Sequence, residues 1–249
     1  MSSTDLATLS DIFSKRVLRI PDYQRGFSWF TQQLDDLWGD LRYLPSERTH
    51  YMGVLSLDQI YLNKYQNKEE QMDWLIKKGY LLYYIVDGQQ RLTALLILIK
   101  AIHAKMTYDD NLLYNENRRT IESKYFYQTP DKGITKTYLF GYEKNDPSNE
   151  YFKTQILGTD STSDQKQTSV YTKNLCNAKE YFEKKIQDFN IQQLDDLYLK
   201  LTQKLTFNIH EIRDEYDSMV AFETLNNRGK SLSTLELLKN RLMAASCPS

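Results

Sequence analysis

The stretch YLLYYIVDGQQRLTALLILIKAI, residues 80–102, decides the fold. An apolar run rich in aromatic and β-branched residues leads into Asp87-Gly88-Gln89-Gln90-Arg91. A second apolar run follows at once and is too long and Leu-rich to be another strand. The pattern predicts a buried strand, a tight polar turn and a buried helix. Such a turn aims polar side chains and the backbone N–H groups of a helix start at one point. That arrangement suits an anion, above all a phosphate. Strand-turn-helix units are common, so the geometry alone says little. The content says more, because five consecutive polar or Gly residues stand between two core segments.

Outward from this unit the chain alternates elements and breakers. Residues 5–13 read as a short amphipathic helix with Leu6, Leu9, Ile12 and Phe13 on one face and Thr4 as its N-cap. Residues 16–20 suggest a strand that Pro21 stops. Next comes IPDYQRGFSW, residues 20–29, with Tyr23, Phe27 and Trp29 as large anchors. Gln24 and Arg25 are left there as the polar pair to present. The same loop also reads as an aromatic seal over the core. Residues 31–44 form a helix capped by Thr31, with Leu34, Leu37, Trp38, Leu41 and Leu44 in helical rhythm. Its Asp35, Asp36 and Asp40 read as a solvated face. Residues 51–60 read as a strand, and the polar residues 63–78 as a surface insertion.

Residues 108–170 lose clear rhythm and carry three turn-rich clusters, which predicts an irregular lobe with short helices. Residues 171–189 and 191–204 look helical, and LTFNIHEI, residues 205–212, is a strand. In residues 218–242 a helix breaks at Asn226-Asn227-Arg228-Gly229-Lys230, and another begins near Ser233-Thr234-Leu235-Glu236, a capping-box pattern. The division expected is residues 1–105 as a core carrying the central turn, and 106–249 as a lobe returning a strand and the Asn-Asn-Arg-Gly corner to it, all one structural unit.

Composition sets the outer bounds. The 249 residues hold 32 Lys+Arg against 33 Asp+Glu, with a pI near 6.3, so any nucleic-acid contact needs a local basic patch. Tyr and Phe number 19 and 10 against 9 Gly, which favours packed surfaces over linkers. Cys176 and Cys247 form neither a disulfide framework nor a metal spacing. No apolar segment lies near Met1. The longest apolar run is broken by Thr93 and Lys100, well short of the roughly 18 residues of a membrane span. The expectation is a cytoplasmic protein with no membrane partner.

Three polar stations therefore stand out: Gln24-Arg25, Asp87 to Arg91, and Asn226 to Lys230 with Lys239 beyond. Convergence would gather Arg25, Arg91, Arg228 and one or both of Lys230 and Lys239, a set of cations matching a triphosphate. Asp87 would be the nearest carboxylate to hold Mg²⁺ or orient a water. Gln89 or Gln90 could position that water, since an amide both donates and accepts.

The order IPDYQRGFSW, VDGQQRLTAL, FETLNNRGKSLSTLELLKN resembles the N-terminal domain of the GmrSD-type restriction family, named by its DGQQR motif. The pentapeptide is intact, Phe27 stands where the family commonly has Tyr, and the motifs span residues 20–240. The resemblance implies an α/β (α+β) fold, a ParB/sulfiredoxin-like small mixed sheet with surrounding helices and a helical C-terminal part. It implies nucleoside triphosphate binding, Mg²⁺-dependent hydrolysis in several members, and defence against phage or modified foreign DNA. On that reading Asp87, Gln90 and Arg91 are catalytic, with Asp87 also a metal ligand. Gln24, Arg25, Gly88, Gln89, Thr93, Asn227, Arg228, Lys230 and Lys239 hold the nucleotide. Tyr23 and Arg25 contact DNA backbone or a modified base. The alternative is a non-catalytic sensor module in which Asp87 and Arg91 form an internal ion pair that braces the turn. The expected partners are a nucleoside triphosphate, modified DNA and a nuclease of HNH type in the same chain or in a second subunit. A homodimer stays open. His50, His103 and His210 stand in unrelated contexts and make no nuclease pattern, and the sequence reads as a piece of a longer protein or the small subunit of a split system.

Overall fold

A computed structural model describes residues 6–61, 72–106, 112–130, 136–143, 146, 148–159 and 169–212. In chain order the first elements are β1 (Ala7–Thr8), α1 (Leu9–Ile12), β2 (Arg16–Ile20), α2 (Thr31–Tyr43), β3 (His50–Ile60) and α3 (Asp73–Lys77). The central unit follows as β4 (Leu81–Asp87) and α4 (Gln89–Lys105). Next come α5 (Arg118–Ile121), β5 (Tyr127–Gln128), β6 (Thr137–Tyr138), β7 (Phe140–Tyr142) and α6 (Ser148–Tyr151). Last are α7 (Val170–Lys185), α8 (Ile191–Leu199) and β8 (Leu205–Ile212). Helices α5, α6 and α8 each run on into a widened π turn, at Glu122–Phe126, Phe152–Ile156 and Lys200–Lys204.

The fold is mixed α/β. Among the described residues one sheet has six strands in the order β1-β8-β3-β4-β2-β7, and β5 and β6 make a small second sheet. Strands β8 and β3 run parallel, as do β4 with β2 and β2 with β7, while β1/β8 and β3/β4 are antiparallel. The parallel trio β4, β2 and β7 ends along one edge. Ligands in open α/β sheets collect at such carboxyl edges.

Alternation places Leu18, Ile20, Leu55, Leu57, Tyr83, Ile85, Leu205 and Phe207 on the face covered by α4, α2, α7 and α8. Helix α4 is buried nearly all round, from Leu92 through His103, which is why its residues are apolar on every side. The opposite face is thinner and joins Val17, Leu82 and Leu139 to Met72 and Leu75 of the α3 segment.

Several boundaries depart from expectation. The first helix starts later, capped by Thr8, whose hydroxyl accepts from Asp11 N (3.2 Å) while Asp11 accepts from Thr8 N (2.9 Å). Thr4 lies outside the described residues. Thr31 is the first residue of α2 rather than its cap, and Gln33 accepts from Phe30 N (2.9 Å) instead. The polar stretch after β3 is not all surface, since Leu75 is fully buried. The irregular lobe also contributes β7 to the main sheet. Three residues with Gly141 in the middle carry too little pattern to announce a strand.

Candidate functional site

The DGQQR turn sits where β4 passes into α4. Gly88 turns the chain with φ +97°, and a side chain there would meet Leu55 Cδ1 at 2.8 Å. Only glycine accepts that backbone and that space together. Thr93 closes the first helical turn by donating to Gln89 O (2.8 Å).

The two glutamines clamp the IPDYQRGFSW loop to this turn. Gln90 accepts from Ser28 N (2.8 Å) and donates to Gly26 O (3.1 Å), so both ends of its amide are engaged. Gln89 donates to Arg25 O (3.3 Å), and its own oxygen is buried with no partner among the described residues. From the other side Gln24, 6% exposed, donates to Ile85 O (2.7 Å) and Val86 O (2.9 Å) at the end of β4. Asn174 of α7 adds a bond to Phe27 O (3.1 Å). The loop is thus held by side-chain amides that substitute for a strand ladder.

Arg91 points the opposite way, into β3. Its guanidinium donates to Met52 O and to Val54 O (2.8 Å), and Nη2 lies 3.6 Å from Asp87 Oδ2. Gly53 between those carbonyls has φ +101°, and the β3 register shifts there. A Cβ on Gly53 would collide with Arg91 Nη1. Arg91 therefore fills a notch that a β-bulge opens in the neighbouring strand.

Two groups of the first two stations remain open. The Asp87 side chain is 39% exposed, and the Arg25 guanidinium, half-buried, has no partner among the described residues. Beside Asp87 lie the first-turn N–H groups of α4, which have no i−4 carbonyl to donate to; the ladder starts at Leu92 N to Gly88 O (3.1 Å). Tyr23 serves the fold, packed against Val86 and Ile212. Burial raises its phenol well above the ordinary range, and Asp58, Glu143 and Asp22 add to the effect. Burial likewise raises Glu143, against hydrogen bonds from the Tyr84 hydroxyl and Asp22 N. Asn227, Arg228, Lys230 and Lys239 lie outside the described residues.

The chain matches the GmrSD restriction endonuclease N-terminal domain over residues 9–243. It belongs to that family. All three motifs fall within the match. No curated protein matches the chain. In this GmrSD N-terminal domain the DGQQR pentapeptide divides its work: Gly88 makes the turn, Gln89 and Gln90 hold the first motif, Arg91 holds β3, and Asp87 stays accessible beside it.

A metal caged by protein alone does not fit here. Among the described residues no group of three His, Cys, Asp or Glu can hold one. A single carboxylate such as Asp87 suits Mg²⁺ that keeps waters and takes its other ligands from phosphates. Sequence reasoning missed Ser28, Asn174 and the Gly53 bulge, whose partners lie 37 to 147 residues away in the chain. The positive-φ glycine in an otherwise regular strand pattern was the one local signal.

Proposed function

We propose that this domain binds a nucleoside triphosphate at the junction of the DGQQR turn and the IPDYQRGFSW loop, and hydrolyses it with Mg²⁺, as the regulatory part of a modification-dependent DNA restriction system. The observation that carries the reading is Asp87, accessible beside the start of the 17-residue α4 at the carboxyl edge of β2 and β4, with the Arg25 backbone tied to Gln89 in the first turn of that helix. The helix start attracts phosphate oxygens. Arg25 supplies a bidentate cation, and Asp87 holds the water-coordinated Mg²⁺ that travels with the nucleotide. Arg91 acts through the frame, because two of its donors hold carbonyls of β3. The Asn227–Lys239 corner supplies further cations on this reading, a modified DNA is sensed, and a nuclease of HNH type is controlled. A ParB-like ancestry of the sheet belongs to the same reading.

Binding of each of the four nucleoside triphosphates to the purified chain, with and without Mg²⁺, tests it. Arg25→Ala is expected to weaken binding at least tenfold, and Asp87→Asn to remove the Mg²⁺ dependence and phosphate release while sparing metal-free binding. Unchanged affinity in both variants sinks the proposal. One observation favours a sensor without turnover: both ends of the Gln90 amide are tied to the 26–28 loop, which fixes its orientation and halves the hydrogen-bonding capacity left for a water. Tight binding with no phosphate release, with DNA present, would select that second reading.

A further inference from the structure

The small sheet carries a second polar surface, remote in sequence from the three motifs. Tyr127 and Tyr138 are directly opposite across β5 and β6, edge to face at 6.2 Å between ring centroids. Each ring is roofed by an ammonium: Lys136 Nζ lies 4.3 Å from the Tyr127 centroid, and Lys153 Nζ 5.1 Å from that of Tyr138. Lys100 of α4 lies 5.2 Å over Phe126 in the adjoining turn. Arg118 and Lys179 complete the group, fixed by bonds to Met106 O and Gln155 O (2.9 Å for the latter). Burial lowers the Lys100 ammonium, and Arg118, Lys136 and Lys179 lower it further against Glu122. So Arg118, Lys136 and Lys179 stand close enough to repel Lys100, with Glu122 set among them. In a chain of net charge −1 this is a local concentration of positive charge.

We propose that the β5–β6 face is a binding surface for single-stranded nucleic acid. A phosphate draws Lys136 off its ring. That exchanges a cation–π contact for an ion pair and opens the Tyr127 face, beside the Tyr138 ring, to a base. A duplex offers the same phosphates and keeps its base faces hidden, so the paired rings select the single strand. Lys136 is exposed on a long flexible stem and moves at little cost. The surface is independent of the nucleotide reading of the DGQQR turn, since it shares no residue with it.

Fluorescence anisotropy of the full chain with a labelled oligothymidylate, at low and at physiological salt, tests this. Affinity is expected to fall steeply with salt. Lys136→Glu with Lys153→Glu weakens binding by about tenfold or more. Tyr127→Leu weakens the oligothymidylate by about tenfold while leaving binding of heparin, a polyanion without bases, unchanged. Lys136→Ala, at an exposed position, repeats the loss in milder form in a chain whose melting curve matches wild type. Lys184→Glu, a charge reversal at an exposed position in the last turn of α7, leaves oligothymidylate binding as in wild type, which shows that the effect is local to this surface. The proposal is overturned if the double charge reversal binds like wild type. It is overturned also if Tyr127→Leu has no effect, or if Lys184→Glu matches the lysine variants.

Discussion

The DGQQR turn and the β5–β6 hairpin are both dense in polar and cationic side chains, yet they are built in opposite ways. At the turn, Gln24, Gln89, Gln90 and Arg91 donate to backbone carbonyls of other elements. On the hairpin, Lys136 and Lys153 rest on ring faces. A backbone acceptor is fixed and leaves a buried orphan when its donor goes. A ring face loses little when its cation swings into water. Gln24, Gln89, Gln90 and Arg91 therefore position structure at the turn, while Lys136 at the hairpin is available for exchange.

That contrast breaks most visibly at Arg91. Arg91→Ala strands the Met52 and Val54 carbonyls and unpairs the part-exposed Asp87, and is expected to destabilise by about 2–4 kcal/mol, nearly all of it from the carbonyls. Chemical denaturation measures it, and a loss below about 1 kcal/mol would mean that β3 does not need its clamp. Gly53→Ala attacks the same notch from the other side, through positive φ and collision with Arg91, at about 2 kcal/mol.

A pH scan sharpens the comparison with a buried group on the hairpin side of α4. His103 is fully buried with neither ring nitrogen hydrogen-bonded among the described residues. Burial, then Lys100 and Arg118, hold its pKa down to about 3, although Glu122 Oε1 lies 3.7 Å from Nε2. The unfolded chain takes up this proton near pH 6.5 and the folded one does not. The stabilisation is thus complete above about pH 6.5 and is lost as pH falls towards 3, with a slope approaching about 1.4 kcal/mol per unit. Melting temperature should drop between pH 7 and pH 5, and His103→Phe should flatten that part of the profile. A variant that tracks wild type would remove His103 as the cause. Smaller still, Gln24→Ala should cost about 1–3 kcal/mol at the β4 end. Lys136→Ala should stay within about 0.5 kcal/mol, because it uncovers a ring and orphans nothing.

Legibility followed the range of the interactions. Residues 205–212 and 16–20 were readable as strands because their apolar pattern is local, and α4 because its apolar run is too long and Leu-rich for a strand. The turn at Gly88 was readable for the same reason. Its partners were not. Ser28 and Gly26 accept or supply the bonds of Gln90 from 62 and 64 residues away, and no periodicity encodes that. The hairpin was missed as an element because each of its strands is two residues long.

The sequence by itself determined the buried strand-turn-helix unit, the mixed α/β class and, through three motifs in order, the family. Those rest on backbone preference and hydrophobic pattern, which act within a few residues. Only the tertiary structure decided what each polar residue of the motif does. Nothing in the sequence tells that β3 brings the carbonyls of Met52 and Val54 to Arg91, or that the 26–28 loop bonds to both ends of the Gln90 amide. A side chain's role is set by whichever acceptor the fold places within hydrogen-bond reach, and that placement is a property of the packed chain.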